Sequence, residues 1–338
     1  MAGVACARAP GKLVVLGEYA VLEGAPALVT AVDRYAVVRA RPAPRSEVEA
    51  HELGVRAAFE VERGRVVWGQ QVTADQRAAL SLVAACIEEA APGSTPLALE
   101  VDTRELVDAK SGAKLGLGSS AAVSVALCGA LLARAGITDA QEIFARALAA
   151  HRGAQSGGSG VDVAAACFGQ SLVFRAGAAP RFYPVALTVE MVCVWTGRAA
   201  STRALVQAVH DFAERDRAGY SEHMAALARV AARGVAAARA CDVEALRTAI
   251  AAYGTLLADL GKASGAAIWS AEHRRWQSIV EAAGGVYKPS GAGGGDCGIA
   301  VARSQAEAQS LTLALLSAHA RVVPLKSAAR GFHIENEP

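Results

Sequence analysis

The sequence predicts an α+β chain built as two domains, over residues 1–185 and 186–338. Three observations carry this. A length of 338 residues is long for one domain and comfortable for two. Strand-like and helix-like segments are mixed up to about residue 185. Beyond that the chain changes character, and residues 201–261 hold three Ala-rich helical stretches with almost no strand signal.

Short strands are expected at 4–8 and 12–16, with Pro10-Gly11 turning between them. Residues 35–41 alternate in polarity and read as a strand that Pro42 and Pro44 end. Residues 47–52, 56–62 and 66–68 suggest a polar-edged meander. An amphipathic helix over 76–91 is stopped by Pro92-Gly93, and 97–101 is a strand. After a loop through Lys110-Ser111-Gly112, helices follow at 120–135 and 139–152. A Gly/Ser loop at 156–160 then leads into a helix at 161–168 and a strand at 170–174. In the second part, 192–195 is a strand, and a further helix covers 270–283. A loop at 289–297, a strand at 298–302, a helix at 304–319 and a strand at 321–324 complete the chain. No internal repeat or low-complexity linker is present. The Ala-rich tract at 225–240 keeps charges at helical spacing and reads as an ordinary helix.

Composition narrows the function. Hydrophobic residues at 53% and charged residues at 20% exclude wholesale disorder. A net charge of +2 argues against a nucleic-acid partner. The seven cysteines, at 6, 86, 128, 167, 193, 241 and 297, are irregularly spaced without C-x-x-C. They read as reduced thiols in a cytoplasmic protein. The first residues lack a basic segment followed by an apolar one, so no signal peptide is expected. The longest uncharged run, 115–133, opens with Gly-Leu-Gly-Ser-Ser, so it reads as a loop and buried helix and not as a membrane span.

Arginine outnumbers lysine 28 to 6, which makes the lysines worth locating. Lys12, Lys110, Lys114 and Lys288 all adjoin glycine-containing turns, where phosphate binding would want a cation. Three glycine loops follow from the same reading. Gly116-Leu117-Gly118-Ser119-Ser120-Ala121-Ala122 stands before an apolar helix, whose first N–H groups and dipole suit a phosphate. A polar loop precedes it where a dinucleotide fold needs a buried strand, and no G-x-x-x-x-G-K-[ST] occurs. The second loop, Gln155-Ser156-Gly157-Gly158-Ser159-Gly160-Val161-Asp162, places a carboxylate at a helix start, either as a cap or in a cleft. The third, Lys288-Pro289-Ser290-Gly291-Ala292-Gly293-Gly294-Gly295-Asp296-Cys297-Gly298, is costly in chain entropy. Close packing against an anion or another loop would justify it.

These loops, with Pro10-Gly11-Lys12 and Gly17-Glu18-Tyr19-Ala20-Val21-Leu22, resemble the motifs of the GHMP kinase superfamily in order. The stretches 17–24, 114–120, 158–166 and 288–298, together with Trp195-Thr196-Gly197, are most similar to its phosphomevalonate kinase family. Mevalonate kinases usually carry His where Tyr19 stands and Pro before the residue matching Ser159. The resemblance implies an N-terminal domain like ribosomal protein S5 domain 2 and a ferredoxin-like C-terminal domain, with the active site in the cleft between them. It implies ATP and Mg²⁺ as cofactors and transfer of a phosphoryl group to (R)-5-phosphomevalonate. Mevalonate kinase, homoserine kinase, a decarboxylase of the same fold and a non-catalytic ligand sensor are the alternatives. Its partners would be small molecules, with no nucleic acid or membrane, in a monomer or homodimer.

By the same resemblance, Lys12 and Asp162 are the catalytic pair. Lys114, Gly116, Leu117, Gly118, Ser119, Ser120 and Ala121 would bind ATP, with Ser120 also on Mg²⁺. Glu18, Tyr19, Ser159, Gly160, Arg198, Lys288, Ser290, Gly291, Ala292 and Gly293 would shape the acceptor site. No acidic Mg²⁺ ligand has a motif behind it; Glu105 and Asp108 are the nearest in sequence. A phosphate acceptor wants extra cations, for which Lys110, Lys114, Arg152, Arg198 and Lys288 are available. His151, at the end of a helix, reads as a capping or packing histidine.

Overall fold

Pro10-Gly11 does not turn the chain. In the computed structural model, which describes residues 4–90, 95–155 and 157–335, β1 (Ala5–Leu16) is one strand. Its pairing with β2 (Pro26–Pro42) shifts register between Pro10 and Gly11, a bulge that bends the strand without ending it. A Cβ on Gly11 would lie 2.7 Å from the Leu117 carbonyl oxygen, so this close approach requires glycine. The Lys12 N–H donates to that same oxygen at 2.8 Å. The bulge thus sets Lys12 against the first glycine loop.

The chain continues through β3 (Glu47–Ala50), β4 (Val55–Glu62) and β5 (Arg65–Trp68), the expected meander. The helix expected at 76–91 is two, α1 (Ala74–Ala79) and α2 (Ser81–Ala90), meeting at buried Leu80. Thr73 and Gln76 close a capping box on α1. Residue 91, the Pro92-Gly93 stop and Ser156 lie outside the described residues. Next come β6 (Leu97–Asp102), α3 (Ser119–Arg134), α4 (Ala140–Gln155), α5 (Val161–Phe168), β7 (Ser171–Arg175) and β8 (Arg181–Pro184).

β2 has 17 residues, although its pattern shows a strand only over 35–41. It is the centre of the first sheet, paired with β1 on one side and with β6 and β7 on the other. Its first seven residues are buried, so they lack the alternation that marks a half-exposed strand. Helix α3 packs on β1 and β2 and is buried continuously from Ala121 to Leu132. The apolar part of the uncharged run is therefore core.

The second half holds β9 (Glu190–Trp195), α6 (Thr202–Arg215), α7 (Arg217–Arg239), α8 (Val243–Ser264), α9 (Ala271–Ala282), β10 (Val286–Pro289), β11 (Cys297–Ala302), α10 (Gln305–Ser317) and β12 (Arg321–Val323). Its sheet runs β10-β11-β9-β12, antiparallel throughout, which is the strand order of a ferredoxin-like unit. The strands divide at 185–189, with one exception. β13 (His333–Glu335) returns to the first sheet and pairs with β1, Cys6 opposite Glu335. Isolated bridges tie Ser327 to Val32 and Arg330 to Gly169, and the Phe332 ring lies on Gly129 of α3. Residues 326–335 thus complete the first half, where the pattern assigned everything after 185 to the second. The strands β8, β10 and β13 were not apparent in the pattern; each has only three or four residues. Among the described residues no helix is long and apolar enough to cross a membrane.

Candidate active site

Lys12 is the hub of the site. A Cβ on Gly118 would stand 3.0 Å from Lys12 Cε, so the first glycine loop lies along the lysine stem. Lys12 Nζ is 3.5 Å from Asp162 Oδ2, in the first turn of α5. A Cβ on Gly291, in the third loop, would be 3.6 Å from the same nitrogen. The lysine stem therefore runs along the first loop and brings its ammonium beside the second and third. Asp162 is about a third exposed, so the pair looks onto solvent from one side.

Gly118 sits in the left-handed region, with φ 79°, as the N-terminal cap of α3. It offers no side chain to the first N–H groups of the helix, which leaves them free to meet an anion. Ser119 and Ser120 open the helix, both half-buried. Ser120 Oγ lies 3.2 Å from His151 Nε2 on α4. Burial holds the His151 imidazole below its ordinary pKa, although the charge of Asp162 acts the other way.

A cavity of about 230 Å³ opens beside Lys12. Of the expected residues, Lys12, Glu18, Tyr19, Ser159, Gly160, Asp162, Gly291 and Ala292 line it, joined by His151 and Thr202. The Tyr19 hydroxyl donates to the Ala292 carbonyl at 2.7 Å, and Ser290 Oγ accepts from Val14 N–H at 2.9 Å. Burial, then the charge of Glu18, pushes the Tyr19 phenol up.

Lys288 does not reach the cavity. It is wholly enclosed and paired with Glu18, whose carboxylate also accepts from the Gly291 N–H at 3.3 Å. The lysine stands in β10, the strand hidden in the pattern, and burial lowers its pKa while Glu18 opposes this. The Arg198 guanidinium turns to Glu272 at 2.9 Å, away from the cavity. Ser290 and Gly293 stand behind the lining. Lys110 and Lys114 are exposed, and Arg152 spans the second loop, donating to the carbonyls of Gly158 and Ser159. Glu105 is taken by Arg8 at 3.1 Å and the Tyr35 N–H, and Asp108 by Ser111.

Three residues near the site were not assigned to it from the sequence: His151, read as a capping or packing residue, Thr202, and Asp296 of the third loop. His151 follows Ile143 and Ala147 at a spacing of four, on the buried face of α4, so a polar side chain in an apolar stripe was its signal. Thr202 opens α6. Asp296 packs its carboxylate against Gly116 and accepts from the Ala200 N–H at 3.0 Å. Burial raises its pKa, countered by that hydrogen bond and by Lys12 and Lys114.

The third loop rests on a buried histidine. His273 bridges the Tyr287 hydroxyl and the Gly295 carbonyl, each at 2.9 Å, and burial drops its pKa from 6.5 to about 4. The unfolded chain therefore takes up this proton before the folded one. Its contribution is complete above pH 6.5 and is lost as the pH falls toward 4, by up to about 3 kcal/mol. Denaturation midpoints of the wild type should fall more steeply across this window than those of His273→Gln; equal slopes would contradict the assignment.

Residues 75–170 match the family model for the GHMP kinases N terminal domain. Over 88% of this chain and 90% of the relative, 32% of residues are identical to "Phosphomevalonate kinase" of Streptomyces sp. (strain CL190). A "Mevalonate kinase" of Pyrococcus horikoshii is 30% identical over 60% of each chain. Among solved structures, "Streptococcus pneumoniae Phosphomevalonate Kinase in Complex with Phosphomevalonate and AMPPNP" superposes with TM-score 0.80 at 19% identity, covering 95% of this chain and 99% of that one. The α+β architecture and the identity across almost the full length agree: this chain belongs to the GHMP kinase superfamily.

Proposed function

We propose that the chain is an ATP-dependent kinase that transfers a phosphoryl group to (R)-5-phosphomevalonate, giving 5-diphosphomevalonate and ADP. The observation that carries this reading is the Lys12–Asp162 pair, seated where the three loops meet. Phosphoryl transfer asks for charge neutralisation and alignment more than for covalent chemistry. Residues 116–121 would hold the nucleotide phosphates on the free N–H groups of α3, with Lys114 at their exposed side. Lys12 would face the transferring group. Glu18, Tyr19, Ser159, Gly160 and the 290–293 backbone would shape the acceptor cavity, with Lys288 acting from behind through Glu18. We place the division between the halves near residue 185, with residues 326–335 belonging to the first.

A phosphate acceptor is largely dianionic at neutral pH, its second pKa being near 6. Asp162 then has little proton to remove, and its work is to hold Lys12. Among the described residues no cluster of three or more His, Cys, Asp or Glu side chains is disposed to hold a metal. The oxygens present, Ser120 Oγ foremost, fit a Mg²⁺ ion that arrives on the nucleotide and takes only one or two protein ligands. Such an ion supplies charge neutralisation between the β- and γ-phosphates.

Mevalonate kinase is the second reading, favoured by the similarity to the Pyrococcus protein. ADP release measured with phosphomevalonate, mevalonate and homoserine separates them. Turnover with phosphomevalonate at least 100-fold above the others is expected. Preference for mevalonate would establish the second reading, and binding without turnover would point to a ligand-sensing relative.

A further inference from the structure

Resting on the nucleotide-loop reading above, we propose that His151 is a positioning residue that fixes the Ser120 hydroxyl for the phosphates of the bound nucleotide. Four observations carry it. His151 is 8% exposed yet borders the cavity. Its Nε2 stands 3.2 Å from Ser120 Oγ, and Nδ1 is buried without a partner. It projects from the apolar stripe of α4 onto the opening turn of α3. Among the described residues, the contact with His151 is the hydrogen bond that Ser120 Oγ makes.

The tautomer follows from the buried nitrogen without a partner. A buried N–H with no acceptor is rarer than a buried lone pair with no donor. The Nδ1 position therefore carries the lone pair and Nε2 the proton. Nε2–H donates to Ser120 Oγ, which uses one lone pair of the hydroxyl. The serine proton and its second lone pair are left pointing away from His151. The hydroxyl can then donate to a phosphate oxygen or offer its lone pair to a nucleotide-borne cation, in a rotamer set before the ligand arrives. Preorganisation of this kind saves the cost of ordering the side chain during binding.

The test is a double-mutant cycle on Ser120→Ala and His151→Leu, read by calorimetric titration with Mg·ADP and by kcat. Each single change should weaken Mg·ADP binding about 10-fold, and the double variant should be no weaker than Ser120→Ala alone. His151→Gln, whose amide N–H can reach the serine, should recover most of the affinity and also covers the event that the leucine variant folds poorly. Acceptor KM should move less than 3-fold in every variant. Losses that multiply in the double variant would overturn the proposal, as would a His151→Gln protein that is as weak as His151→Leu. Reduced thermal stability with unchanged Mg·ADP affinity would make His151 a packing residue. If Ser120→Ala itself binds Mg·ADP normally, it is the nucleotide-loop reading that fails.

Discussion

Lys12→Met is expected to lower kcat at least 100-fold while the protein stays folded. The side chain is buried, and its stem lies along the first glycine loop, so methionine can take the same path. What the variant lacks is the charge. A preorganised cation at the transferring group is worth about 3 kcal/mol or more, because it faces charge that grows in the transition state. Steady-state turnover, with circular dichroism to show the fold, checks this. A folded variant with more than a tenth of wild-type kcat would make Lys12 an ordinary charge. Asp162→Asn should reproduce part of the loss, since it frees the ammonium from the partner 3.5 Å away.

The other large effect is on stability. Lys288→Met removes the partner of Glu18, a carboxylate that is 5% exposed. The second oxygen of Glu18 is already buried without a hydrogen bond, so the charge left behind would keep only the Gly291 N–H. Breaking one side of a buried ion pair costs about 3–5 kcal/mol. The urea midpoint of the variant should fall accordingly, and Lys288→Met combined with Glu18→Gln should recover much of the difference. A single variant within 1 kcal/mol of wild type would mean that water reaches the pair.

The glycine loops and their order were legible because glycine and serine runs before helices have few other uses. Lys12 and Asp162 were singled out by the resemblance to the superfamily's motifs, and their side chains stand 3.5 Å apart. Pro10-Gly11 misled because its composition is that of a turn, while the glycine serves close approach of the Leu117 carbonyl. The buried start of β2 was invisible for want of alternation. Lys288 looked like one more cation beside a loop. Nothing local could reveal that its partner lies 270 residues away, on a turn whose Tyr19 sits at φ 61° and reaches Ala292. Glu105 meets Arg8, 97 residues before it in the chain, which the local pattern could not show, whereas the partner of Asp108, Ser111, lies only three residues on.

The return of residues 326–335 bears on how the protein is made. Synthesis proceeds from the N-terminus, and early segments ordinarily fold as they emerge. Here the outer edge of β1 stays open, and the surface of α3 that receives Phe332 stays bare, until residue 335 has left the ribosome. The first half therefore cannot finish before the second has been translated. A nascent chain stalled short of residue 326 should be cleaved by protease in its first 40 residues, whereas one released beyond 335 should resist.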